Sequence, residues 1–143
     1  MAKAVVFNGK RTDRKMKRKH CSQMSLLEKN YLALEANKLK KVEPTSHAQD
    51  KMNLLEINTD YINSLLGNIT KENIIEYNTG RGKERRVVIL DYRVIICEDG
   101  KEVYAKYSID IDTGELVTVW VNLITDKHPT LDMSIYTKNL KIF

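Results

Sequence analysis

The sequence predicts an α+β domain, two to three short helices packed on one face of an antiparallel β-meander of about four strands, preceded by a basic N-terminal arm. Three observations carry this. Helix-start signals are confined to residues 25–67; the apolar period changes from near 3.6 to 2 after Thr70; and the front of the chain holds dense charge without apolar periodicity. With 143 residues, 42% hydrophobic and 30% charged, one small domain with a modest core is expected, and two would be hard to fit. The expected division is an arm over 1–24 and a single α+β domain over 25–143.

The arm centres on KRTDRKMKRK, in which Lys10, Arg11, Arg14, Lys15, Lys17, Arg18 and Lys19 face a single Asp13. Residues 1–20 hold eight Lys or Arg and one Asp, a formal +7, so the whole-chain +5 leaves −2 for the remaining 123 residues. Charge concentrated in this way points to a polyanion, because neutralised phosphates release condensed counterions, or to an acidic protein surface reached by electrostatic steering. The plainer alternative is a solubilising terminus.

The first helix is read from Ser25 and Glu28, which have capping-box spacing. Leu27, Tyr31 and Leu34 at i, i+4, i+7 mark its expected apolar face, with Lys38, Lys40 and Lys41 at its C-terminal end and Pro44 beyond. Ser46 with Gln49 signals a second helix, and Thr59 before DYINSLLG a third, closed by Gly67. Four strands follow, about Asn73–Asn78, Arg85–Cys97, Glu102–Ile109 and Glu115–Leu123, joined by the glycine-bearing connections TGRGKE, EDGK and DTGE. The second strand is apolar on both sides and is expected to be central. In the third, Val103, Ala105, Tyr107 and Ile109 point one way. In the fourth, Val117, Val119, Val121 and Leu123 are expected inward, with Thr118, Trp120 and Asn122 outward. The tail from Lys127 to Phe143 is compatible with an edge strand or a short helix.

Cys21 and Cys97 stand far apart with no CxxC or CxxH spacing, so neither a zinc site nor a disulfide framework is expected, and no metal or cofactor is implied. The apolar run from Ala4 to Phe7 is too short for a signal-peptide core, and no stretch approaches spanning length; no membrane association is expected, and the expected compartment is the cytoplasm.

For catalysis, His47 is the one histidine of three, with His20 and His128, that falls on a predicted element. Lys51 lies one turn further along the same face. An imidazole beside a cation can move protons and stabilise charge in phosphodiester cleavage, and Arg93 could serve as a further cation. A histidine that merely packs or caps at a helix start is the structural alternative.

The stretch SHAQDKMNLLEINTDYINSLL, followed by IIEYN and by strands ending in LVTVWVN, resembles a small bacterial and phage family of unknown function whose members open with Ser-His-Ala and an Arg-Met pair. That family is in turn similar to the compact α+β fold of toxin ribonucleases of the RelE and barnase type. The resemblance covers Thr45 to Leu123. Ser46, His47, Ala48 and Met52 match, while Lys51 stands where the family has Arg, replacing a planar bidentate fork by a point charge. It implies a phage or mobile-element protein and, if the chain is an enzyme, a metal-independent ribonuclease using His47.

Two further surfaces are candidates. Tyr104 and Lys106, with Thr118, Trp120 and Asn122 on the next strand, could form a stacking platform beside a cation unless a helix covers that face. The loop TGRGKERR offers Arg81, Lys83, Arg85 and Arg86 for phosphate contact, although the GxxxxGK spacing of a nucleotide-binding loop is absent. The expected function is therefore non-enzymatic binding of RNA or DNA, or of a ribonucleoprotein nuclease in the manner of an anti-CRISPR inhibitor. The arm would enter a groove or channel and fold as it binds.

Overall fold

In the computed structural model, residues 16–126 and 131–143 are described. Three helices precede the meander: α1 (Leu26–Asn37), α2 (Ser46–Leu55) and α3 (Thr59–Asn63). Each starts where a side chain satisfies a free backbone N–H, as helix ends require. Ser25 and Glu28 form the reciprocal box expected of them, with bonds of 3.1 and 2.8 Å. The other two caps lie one residue earlier than the sequence suggests. Thr45 Oγ1 accepts from Ala48 N while its hydroxyl donates to Val117 O, tying α2 to the sheet. Asn58 Oδ1 accepts from Tyr61 N at the start of α3.

The strands are β1 (Arg18–His20), β2 (Glu43–Pro44), β3 (Ile74–Asn78), β4 (Arg86–Ile96), β5 (Glu102–Asp110) and β6 (Glu115–Leu123). They form one sheet in the order β1-β3-β4-β5-β6-β2. The expected four-stranded antiparallel meander is β3 to β6, with β4 inside it. The two flanking strands correct the expectation: β1 adds antiparallel to β3, and β2 adds parallel to β6, so the sheet is mixed and six-stranded. Thus part of the segment assigned to the arm belongs to the sheet.

All three helices lie on one face of the sheet and enclose the core. Leu32, Ala36, Met52 and Ile62 meet Ile74, Val87, Ile89, Tyr107, Ile109, Leu116 and Val119 there. The expected apolar face of α1 is wrong, since Leu27 and Leu34 are exposed and Leu32, Ala33 and Ala36 are buried. Its inward stripe runs Glu28, Leu32, Ala36, and it begins with a charge because Lys19 Nζ, buried on β1, bonds Glu28 Oε2 at 2.8 Å. Tertiary packing thus overrides the apolar spacing of Leu27 and Leu34.

Register shifts explain two more differences. Between β5 and β6, Ser108 faces Thr118 but Ile109 faces Leu116, so Val117 is an extra residue and Leu116 takes the inward place expected of it. Between β4 and β5 the pairing passes from Asp91 with Ala105 to Ile95 with Val103. The two-sided burial expected of β4 holds over Val87–Ile89 and fails beyond the bulge, where Tyr92, Val94 and Ile96 are exposed. Of the two alternatives for the C-terminal tail, its described part holds only a short 3₁₀ helix, Met133–Ile135; Thr137 N donates to Arg18 O at 2.6 Å, and Ile142 is buried in the core. It runs along the outer edge of β1 and covers backbone groups that an edge strand otherwise offers to other chains.

Candidate functional site

The face of the sheet away from the helices is open, and the strand registers dictate what it displays. His20, Glu76, Val88, Ser108 and Thr118 form one row across five strands. Leu90, Lys106 and Trp120 form the next, and Tyr104 with Asn122 the one after. Side chains alternate faces along each strand, so these are the residues that the core does not use. The residues of the platform expected from sequence are therefore brought into register, and no helix among the described residues lies over them. A cleft of about 530 Å³ occupies this face, with Arg18, His20, Glu76, Tyr104, Lys106, Trp120, Asn122 and Tyr136 among its lining. That volume is in the range of small-molecule sites.

The electrostatics of the cleft are uneven. Glu76, almost fully buried, accepts from Arg18 Nε at 3.1 Å and Nη2 at 2.7 Å, and from Asn78 Nδ2 at 3.0 Å. The Arg18 guanidinium also lies 5.1 Å from the centre of the Tyr136 ring, which meets His20 edge-on at 5.1 Å. The tail thus supplies one wall. Burial pulls the Lys106 ammonium below its ordinary pKa, with Asp126, Cys21 and Glu76 opposing. Burial likewise lowers His20, helped by Lys106 and opposed by Glu76. Burial also raises the Cys21 thiol, which makes it a poor nucleophile at neutral pH. His20 and Tyr136 were missed as site residues in the sequence, where one falls in the arm and the other in an ambiguous tail.

The second feature is the β3–β4 loop. Gly80 has φ +55°, in the left-handed region that favours glycine, and a Cβ there would push aside the ends of the Glu84 and Arg86 side chains. Arg81 and Lys83 are exposed on it. Arg85 is not available in the same way: it bonds Asp112, with Nε 3.1 Å from each carboxylate oxygen, and Tyr31 Oη at 3.0 Å. Arg86 turns onto the open face, where its Nε is shut from solvent without a partner among the described residues. Lys17 N donates to Thr79 Oγ1 and Lys17 O accepts from Thr79 N, both at 3.0 Å. These two bonds fasten the end of the arm to the base of the loop that carries Arg81 and Lys83.

Of the arm cations, Lys10, Arg11, Arg14 and Lys15 lie outside the described residues, as does His128. Lys17 is exposed, while Arg18 and Lys19 are committed to Glu76 and Glu28. His47 and Lys51 are both exposed on α2, one turn apart. Arg93 is far more tightly engaged. It bonds the fully buried Asp91 through Nε and Nη2, donates to Tyr61 O at 2.8 Å and Ser64 Oγ at 2.6 Å, and lies 3.9 Å over the Tyr61 ring. Tyr107 Oη donates to the same carboxylate at 2.8 Å. This network ties α3 to the bulge of β4.

Comparisons with protein-family models, with curated proteins and with solved structures found no match. The Ser-His-Ala resemblance thus rests on its residues alone. No helix among the described residues is long and apolar enough to cross a membrane.

Proposed function

We propose that the protein is a non-enzymatic binding protein for nucleic acid, or for the nucleic-acid channel of a ribonucleoprotein machine, with the basic arm as its main electrostatic element. One observation carries this: the Lys17–Thr79 pairing joins two basic segments sixty residues apart in the chain, the arm and the Arg81–Lys83 loop, at one end of the sheet. Two cationic segments at one place neutralise more phosphates than either alone, and the gain appears as steep salt dependence. A phage-encoded inhibitor of an RNA-guided nuclease, of the anti-CRISPR kind, is the finer form of this reading. The engagement of Arg93 by Asp91 and the exposure of His47 favour binding over catalysis.

The test is a gel-shift series over salt with RNA, single-stranded DNA and duplex DNA, comparing the full chain with a variant lacking residues 1–15. The cut stops at 15 because residues 18–20 are a strand of the sheet. The truncated protein is expected to keep its thermal transition and to lose most of its binding. Equal binding at moderate salt would remove the arm from the mechanism. RNA cleavage in EDTA that disappears in His47→Ala would replace this reading by the ribonuclease one.

A further inference from the structure

The geometry points to the open-face cleft as the seat of one unstacked nucleobase, so that the nucleic acid bound by this protein is single-stranded; the inference rests on the binding reading above. Trp120 and Lys106 are directly opposite each other on β6 and β5, and Tyr104 stands one row further along. This places an indole, a phenol and an ammonium around a cleft of about 530 Å³, a combination that stacks any base and attracts its phosphate. The Tyr104 ring is itself held: Tyr92 meets it edge-on at 5.4 Å and is anchored through its hydroxyl to Glu72 O at 3.2 Å. Asn122, paired with Tyr104 across β5 and β6, lines the same cleft and adds a polar amide beside the rings.

The strand side follows from shape. Within a duplex the base faces are stacked on one another and cannot reach Trp120, whereas a splayed base of a single strand can. The backbone of that strand has a route to the basic end. The Trp120 row and the Arg18 row are four residues apart along the strands, about 13 Å, and beyond Arg18 the chain passes Lys17 to the Arg81–Lys83 loop.

Trp120 is the only tryptophan in the chain, so its emission reports the cleft directly in the unmodified protein. The experiment titrates full-length protein with a single-stranded RNA oligonucleotide and with the same sequence annealed to its complement. It follows Trp emission and the anisotropy of labelled strands together. The single strand is expected to quench Trp120 and to bind about 10-fold more weakly to Trp120→Ala, as for one lost base stack. Trp120→Phe should retain most of the affinity, and Lys106→Gln should lose part of it. Binding without a Trp120 response, or a duplex that quenches as strongly as the single strand, would overturn the inference and leave the arm-based function standing. No binding of either strand form would overturn both. Because the quench is read in wild type, a failure of Trp120→Ala to fold does not blunt the test.

Discussion

Ile89 and Leu90 are neighbours on β4, yet one is fully buried against the helices and the other looks out onto the cleft. The same contrast holds for the whole sheet. On the helix side, every strand of the meander contributes apolar side chains to one continuous core, and the few charges admitted are paired: Lys19 with Glu28, Asp91 with Arg93. On the other side, Glu76, paired with Arg18, joins Lys106, Trp120, Tyr104 and Asn122 around a concavity. A sheet that needs only one covered face to fold can hold cations and aromatics on the other without losing its core. The comparison teaches that the core and the open-face cleft are built from alternate residues of the same strands.

The sharpest way to break this division is to attack the polar network on the helix side. Arg93→Ala leaves the Asp91 carboxylate buried with only Tyr107 Oη and a backbone N–H as donors, and it unfastens α3. A loss of about 3–5 kcal/mol is expected in denaturant unfolding. An Arg93→Ala protein as stable as wild type would show that the guanidinium is free for other work. Next comes the neighbouring pair on β4. Ile89→Ala should cost about 2–5 kcal/mol through lost burial and a residual cavity, and Leu90→Ala less than half as much because one side of it already meets the cleft. Equal losses at both positions would mean that the open face is covered in solution.

The smallest expected effect is on acid stability. Burial raises the Glu28 carboxyl, but hydrogen bonds from Lys19 and Ser25 outweigh this and leave its pKa below the ordinary value of 4.5. A carboxylate depressed in the folded state stabilises fully above its unfolded pKa, and that contribution is lost as pH falls through the folded one. Unfolding midpoints should therefore drop on acidification below about pH 4.5, and Glu28→Gln should be less stable at neutral pH with a shallower acid decline. The same slope in both proteins would show that the Lys19 pair adds nothing to the helix side.

Local chemistry made much of this fold legible in the sequence. Alternation along β5 placed Val103, Ala105, Tyr107 and Ile109 inward, the Ser25–Glu28 box marked α1, and glycine-bearing turns delimited the meander, because each signal depends on residues close together in the chain. The platform of Tyr104, Lys106 and Trp120 could be suggested in the same way. What surrounds it could not. Strand β1 is Arg-Lys-His, with no apolar alternation to betray it, and it is held by Glu28 on the following helix and by Glu76 and Thr137, both distant in sequence. The inward stripe of α1, the Val117 bulge and the tail wall at Tyr136 likewise depend on partners brought together by folding. Charge run and period are properties of the sequence alone; which cations stay free and which are bound into the sheet is decided by tertiary structure, because an ion pair needs its partner within a few ångströms, wherever that partner lies in the chain.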